Sequence, residues 1–180
     1  MLAFAQDLTD LSAETILVNL AQQVPDLMRL VTAIAYVLGM TFIIRGVIKL
    51  KHLGESRTMM SHEHSISGPL VYLFIGAALL YLPTSVQVGM STFWTNPNPY
   101  GYLQQQDQWN DFLNVCFVII QLIGTIAFIR GLVILSQLGG GSSASPGTLS
   151  KGMTHIIGGI LCINIYQFVQ LILNTLGLQT

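Results

Sequence analysis

The sequence predicts an all-α integral membrane protein with four transmembrane helices, arranged as two tandem helical hairpins of the same orientation. Hydrophobic residues make up 52% of the 180 residues and charged residues only 8%, whereas a soluble domain carries roughly 25% charged residues. The mean hydropathy is +0.62, and the two halves of the chain resemble each other. The chain is therefore expected in a membrane, and no basic patch indicates nucleic-acid binding.

Four apolar runs approach the roughly 20 residues that a helix needs to cross a hydrocarbon core. These predicted spans are residues 27–48, 69–89, 112–135 and 153–173. Pro83 is expected to kink or end the second helix near Leu82, because proline lacks a backbone N–H. Spans one and two form the predicted first hairpin, residues 26–90, and spans three and four the second, residues 111–180.

Two further segments complete the predicted organisation. Residues 1–25 are expected on the outer side, with Ser12 capping a short helix that lies in the membrane interface. Residues 91–110 mix proline and glycine with aromatic residues, which is typical of an ordered loop carrying an interfacial aromatic belt. In the stretch AFAQD, Ala3 and Ala5 have the spacing of the two small residues at a signal-peptidase cleavage site. Coincidence and an omitted upstream portion are both compatible with it.

The positions of the cations predict the topology. Six of the seven Lys and Arg residues border the connections near residues 50–68 and 137–152, and the long middle loop has none. By the positive-inside rule those two connections face the cytoplasm, and both termini lie on the periplasmic side. Each predicted hairpin therefore has the same orientation, unlike the inverted repeats of many transporters.

The two hairpins look like an internal duplication. Residues 26–54 align without a gap with residues 111–139, and the identical positions include the Arg-Gly pair at Arg45 and Arg130. After the connection the match resumes in a slightly different register, in which Gly76 aligns with Gly159. Four glycines, spaced seven apart in each repeat, lie on one face of each first helix and predict close helix packing or assembly: Gly39, Gly46, Gly124 and Gly131.

Basic and amide side chains supply the remaining candidate sites. Arg45, Lys49 and Arg130 end the first helix of each repeat, where they would contact lipid headgroups or, alternatively, face an aqueous lumen. Span four carries a polar face that would pack against another helix or form the wall of a polar duct: Asn164, Gln167, Gln170 and Asn174. No cofactor is expected. A bound phospholipid is compatible with these cationic side chains, because its phosphate is negatively charged.

Catalytic and metal-binding signals are weak. His62, Glu63 and His64 lack the i, i+4 histidine spacing of zinc protease helices, so a solvated loop is the favoured interpretation. Cys116 and Cys162 both fall inside apolar runs, where cysteine behaves as a small hydrophobic residue. The chain is therefore not expected to be an enzyme.

Four spans in a chain of this length, small polar cytoplasmic loops and the Arg-Gly-Leu-x-x-Leu segment at residues 130–135 resemble the IcmC/DotE group of inner-membrane proteins. These belong to type IVB (Dot/Icm) secretion systems and related conjugative plasmids, and the likeness extends from about residue 26 onward. It implies a non-enzymatic subunit of a machine that delivers proteins or DNA, with no catalytic residues to carry over. Each half also resembles the two-helix conjugative pilins, from which this chain departs in being a tandem pair.

The expected function is that of an oligomerising, structural or channel-forming subunit of a type IV secretion apparatus in the bacterial inner membrane. Its expected partners are other membrane subunits, further copies of itself and membrane lipids, without sequence-specific binding of nucleic acid. The main alternative is a small four-span transporter or ion-coupled carrier that uses the span-four amides with Arg45 and Arg130. A membrane enzyme built on His62, Glu63 and His64 ranks third.

Overall fold

The computed structural model describes residues 13–58, 66–99, 108–140 and 147–177, and helices are the only regular structure in these ranges. The predicted all-α class is therefore confirmed for this part of the chain. The helices, in chain order, are α1 (Ala13–Thr58), α2 (Ser67–Leu80), α3 (Leu82–Phe93), α4 (Gln108–Ser136), a short 3₁₀ helix (Gln137–Gly140), α5 (Thr148–Ile163) and α6 (Ile165–Thr175).

Two continuous helical segments are long and apolar enough to cross a membrane on their own, by length and composition. They are Gln22–Glu55, within α1, and Leu113–Gly140, which joins most of α4 to the 3₁₀ helix. The other four helices form two bent pairs: α2 meets α3 at 97°, and α5 meets α6 at 83°. The described residues thus contain two candidate membrane spans, or up to four if each bent pair counts as one.

The first helix differs from its prediction. The segment expected as a separate interfacial helix is the beginning of α1, which runs unbroken from Ala13 to Thr58 with Pro25 inside it. A proline removes one intrahelical hydrogen bond, and the strongly helix-forming sequence on both sides carries the helix through it. Ser12, the predicted N-cap, lies outside the described residues.

The second and fourth predicted spans are both broken. Helix α2 has 14 residues and α5 has 16, which correspond to about 21 and 24 Å against a hydrocarbon core of about 30 Å. The break beside Pro83 agrees with the predicted kink. The prediction of one continuous helix over residues 153–173 was wrong, because the chain turns sharply at Asn164 without any proline.

The helices pack mainly in consecutive pairs, α1 with α2 and α4 with α5, here called the first and second hairpin, and α4 also lies against both helices of the first pair. A single buried cluster extends across both hairpins and includes Phe42, Ile75, Phe128, Ile129 and Ile160. Helix α3 reaches α5, where a Cβ added at Gly89 would meet the Ile160 side chain. The core therefore lies at the junction of the two repeats.

Candidate functional site

Each hairpin is held by direct backbone contact between two glycines. A Cβ added at Gly39 would lie 2.9 Å from the carbonyl oxygen of Gly76, and one added at Gly124 would lie 2.9 Å from that of Gly159. Real Cβ atoms do not approach so closely, so only glycine permits these crossings. The two pairs occupy equivalent positions in the alignment of the repeats, Gly39 with Gly124 and Gly76 with Gly159.

The second glycine of each repeat packs in the same manner. Gly46 lies against the side chain of Leu73, and Gly131 lies against that of Ile156. Leu73 and Ile156 are aligned in the same register as Gly76 and Gly159, so equivalent residues make equivalent contacts. These contacts support the internal duplication. All four glycines of the first helices face the partner helix of their own hairpin, and their role in assembly between copies stays a prediction.

The helix breaks are also equivalent between the repeats. Tyr81 has φ −103° and ψ 44°, and Asn164, its aligned counterpart, has φ −108° and ψ 42°. Each residue donates its N–H to a carbonyl four residues back, and each carbonyl accepts from the N–H four residues ahead. Because the second repeat has Tyr166 where the first has Pro83, proline alone does not cause the bend.

The break at Asn164 holds a buried cluster of amides. The Asn164 side chain is fully buried, and its Nδ2 donates to Gln167 Oε1 at 2.6 Å. Gln167 Nε2 in turn donates to the carbonyl oxygen of Asn96 at 2.9 Å, which ties α6 to the segment after α3. Asn164 Oδ1 has no hydrogen-bond partner among the described residues. The structure therefore brings together two of the four amides of the predicted polar face.

Gln170 and Asn174 lie apart from this cluster. Gln170 Nε2 donates to the hydroxyl of Tyr166 at 2.7 Å, and both amide side chains are exposed. The predicted face is therefore divided into a buried part at the break and an exposed part further along α6.

Two polar residues of α4, which were not predicted from the sequence, complete the site. Gln121 is buried, and its Nε2 donates to the carbonyl oxygen of Ile163 at 3.2 Å, one of the α5 C-terminal carbonyls left without a helical partner by the break. Thr125, also buried, donates to the Gln121 carbonyl at 3.0 Å. Their i, i+4 spacing within an apolar run was the signal that could have revealed them.

A cavity of about 510 Å³ lies beside this site, between the two hairpins. Gln121 and Thr125 of α4 line one wall and Thr32 of α1 another, with Gln87 of α3 and Asn98 completing the polar lining. The remaining lining side chains are apolar, including Met28 and Met90. The cavity thus combines a mostly apolar wall with a few amides and hydroxyls, as small-molecule sites do.

The three predicted cationic residues have different environments. Arg45 and Arg130 are exposed and form no ion pair with another described residue. Lys49 is half-buried: its Nζ donates to the carbonyl oxygen of Gly139 at 2.9 Å and lies 4.6 Å from the centroid of the Tyr72 ring. The Lys49 amine therefore contacts protein groups of both hairpins. The sequence predicts a contact with lipid headgroups or an aqueous lumen, and these protein contacts are not part of that prediction.

The histidine-containing loop residues His62, Glu63 and His64 lie outside the described residues. In the part of the chain that the structure describes, no three His, Cys, Asp or Glu residues are grouped so that they could hold a metal ion. Cys116 and Cys162 are half-buried free thiols.

Comparisons with protein-family models, curated proteins and solved structures find no match to this chain.

Proposed function

We propose that this chain is a non-enzymatic, self-associating membrane subunit, structural or channel-forming, of a type IV secretion or conjugation apparatus. The observation that carries the self-associating part is the packing of the two repeats. Two hairpins with the same internal contacts are placed side by side in one chain, and α4 of the second lies against α1 and α2 of the first. The proposal takes this pair as two linked units of a larger array.

The secretion part of the proposal rests on the resemblance to the IcmC/DotE group and to the two-helix pilins. In this proposal α1 and α4 cross the bacterial inner membrane, and α2 and α5 return across most of its hydrocarbon core. The connections near residues 50–68 and 137–152 face the cytoplasm, in keeping with the cations that border them. Helices α3 and α6, nearly perpendicular to α2 and α5, would then lie along the outer interface.

Charge reversal of the paired arginines tests this proposal. Arg45→Glu and Arg130→Glu would be scored separately for membrane insertion, for assembly size in mild detergent and for delivery of cargo. The proposal expects normal insertion and assembly with loss of delivery if the arginines serve a shared passage. Arg45→Lys and Arg130→Lys are the matched controls, because they keep the charge and should keep delivery.

A wild-type chain that purifies as a monomer, or whose deletion leaves delivery unchanged, would refute the proposal. Leucine substitutions at Gly39 or Gly124 do not provide this test, because these glycines pack inside their own hairpin. Their replacement would disturb the fold of one chain before it disturbed any assembly.

A small-solute transporter is the second candidate, and one observation favours it. Broken helices beside polar groups are a feature that secondary transporters use, and the cavity of about 510 Å³ adjoins the break at Asn164. Liposomes containing the purified protein would be assayed for uptake of a panel of amino acids, organic acids and alkali cations. Uptake by a monomer, abolished by Thr32→Val and Gln87→Leu at exposed positions of the cavity lining, would favour this candidate over the first.

A further inference from the structure

The contact between the two hairpins is not symmetric. Helix α4 packs against both α1 and α2, whereas α1 and α5 do not approach each other in the described ranges. If a two-fold axis related the hairpins, the α2–α4 contact would require an equivalent α1–α5 contact. The hairpins therefore pack front to back: one face of the second hairpin, here called the front, sits on a different face of the first, here called the back.

The front of the second hairpin is a buried stripe of α4. Gln121 and Thr125 line one wall of the cavity that Thr32 of α1 lines on another side, and Leu132 shares an apolar cleft with Ile75 of α2. The stripe residues are almost inaccessible, with exposed fractions of 6% for Gln121, 6% for Thr125, 8% for Ile129 and 6% for Leu132.

The first hairpin has the same front, and nothing in the described part of the chain covers it. The equivalent positions of the first repeat form an apolar stripe on α1, with exposed fractions of 54% for Tyr36, 42% for Met40, 51% for Ile44 and 53% for Val47. Exposed apolar residues on a membrane helix ordinarily face lipid, so exposure alone does not indicate a protein partner. This face differs from an ordinary lipid-facing surface because the equivalent stripe on α4 is covered by the first hairpin.

The back of the second hairpin is only partly covered by the described residues. In the first hairpin the buried Phe42 and Ile75 belong to the cluster that receives α4. Their equivalents are Ala127, which is half-buried, and Gly158, where an added Cβ would meet nothing within 4 Å. The two hairpins thus leave an unused front on α1 and an unused back on α4 and α5.

The side chains at these two unused faces differ from their equivalents inside the chain. The front of α4 has Gln121 and Thr125 where α1 has Tyr36 and Met40. The back of the first hairpin has Phe42 and Ile75 where the second has Ala127 and Gly158. A contact between copies would therefore use the same faces as the internal contact, but with different side chains.

We infer that the exposed stripe of Tyr36, Met40, Ile44 and Val47 binds the back of the second hairpin of another copy of this chain. Successive copies then assemble head to tail and repeat the contact already present between the two hairpins. An interface of this kind is heterologous, and it closes into a ring or continues as a helix. This inference rests on the proposed self-association and names the surfaces that perform it.

The contact between copies cannot repeat the internal one at the ends of the long helices. Inside the chain, a Cβ added at Gly68 would lie 2.9 Å from the carbonyl oxygen of Gly139. The equivalents of these residues are Lys151 and Gly54, and no atom lies within 4 Å of a Cβ added at Gly54. A lysine in place of glycine keeps the backbones apart there, so the contact between copies is closest along the Tyr36 to Val47 stripe.

Paired tryptophan variants in nanodiscs or mild detergent test the inference. Val47→Trp blocks the front, and its control is Ile34→Trp, on α1 but outside the stripe, with a similar exposed fraction of 50%. Ala127→Trp fills the back, and its control is Ile126→Trp on the outward side of α4, exposed to 46%. We expect each blocking variant to weaken self-association at least about tenfold, as overpacked interfaces do, and the controls to assemble as the wild type does. Far-UV circular dichroism checks that each variant is folded.

Mixing distinguishes head-to-tail assembly from any symmetric contact. A Val47→Trp chain keeps its back and an Ala127→Trp chain keeps its front, so a mixture of the two should form one-to-one dimers while each alone stays monomeric. As a second measurement with small side chains, two differently tagged copies with Val47→Cys and Ala127→Cys, both with Cys116 and Cys162 replaced by alanine, should cross-link to each other.

The outcomes separate the two proposals. If all four tryptophan variants assemble as well as the wild type, and the cysteine copies do not cross-link, the front-to-back interface is overturned. The proposed function would still stand. No mixed dimer, with both blocked variants monomeric, would also overturn it, because a symmetric interface gives that result. A monomeric wild type would overturn the proposed function itself.

Discussion

The glycine contact that closes the second hairpin makes a quantitative prediction about two adjacent residues of α5. A Cβ at Gly159 would lie 2.7 Å from the backbone nitrogen of Phe128 and 2.8 Å from the carbonyl oxygen of Gly124, whereas a Cβ at Gly158 would meet nothing within 4 Å. Gly159→Ala and Gly158→Ala therefore add the same methyl group to neighbouring positions of one helix. Only the first introduces it into a helix crossing.

The expected free energies follow from these contacts. Replacing a helix-interior glycine by alanine stabilises a helix by up to about 1 kcal/mol, and Gly158→Ala should show that gain. At Gly159 the atoms in the way are backbone atoms, which cannot rotate aside, so the cost should reach the upper part of the roughly 1–3 kcal/mol range for overpacked cores. After the gain in helix propensity, Gly159→Ala should be destabilising by about 2 kcal/mol.

The two variants should thus differ by about 3 kcal/mol, which is a factor of roughly 100 in the unfolding equilibrium constant. Reversible unfolding by SDS in mixed micelles, followed by far-UV circular dichroism, measures this difference. Gly76→Ala should behave like Gly159→Ala, because its Cβ would lie 2.9 Å from the carbonyl oxygen of Gly39. Equal stabilities for Gly158→Ala and Gly159→Ala would refute the close crossing and the repeat-equivalent packing built on it.

Two further predictions concern polar contacts. Gln121→Leu should destabilise the protein by about 2 kcal/mol, because it leaves the buried Ile163 carbonyl without its donor. SDS unfolding should show this loss of stability. Gln170→Leu, at an exposed amide, is the control and should change stability by less than about 0.5 kcal/mol. Lys49→Met should cost about 2 kcal/mol, because it removes the contacts with Gly139 and Tyr72 between the hairpins. Lys51→Met is its control, since Lys51 is exposed and pairs with Glu55 at 3.7 Å, and a similar loss in both variants would contradict the assigned role of Lys49.

The sequence was most informative where a residue type leaves little choice. Gly39 and Gly124 in apolar runs predicted close approach of backbones, and the structure shows it at both positions. The apolar content predicted helices, because only internally bonded backbones are stable in a bilayer. The proline at position 83 predicted an interruption of the second span, which the structure places at Tyr81.

The missed features depend on contacts between distant residues. The turn at Asn164 is accompanied by bonds to Gln167 and from Gln121, and Gln121 is far along the chain from the Ile163 carbonyl that it binds. Helical periodicity cannot reveal that such partners meet, so residues 153–173 looked like one helix. The opposite error occurred at Pro25, where a residue that usually ends helices lies within one. Local propensity was outweighed there by the apolar and helix-forming sequence on either side.

The pattern of identity between the repeats can now be explained by what each residue contacts. The shared glycines at positions 39 and 124, and at 76 and 159, pack inside a hairpin, and both hairpins need the same crossing. Several residues at the contact between hairpins differ, as Phe42 does from Ala127, because the two copies present different faces to different neighbours. A chain of two interchangeable hairpins would show no such division. The tandem arrangement therefore gives the two hairpins different neighbours within one chain.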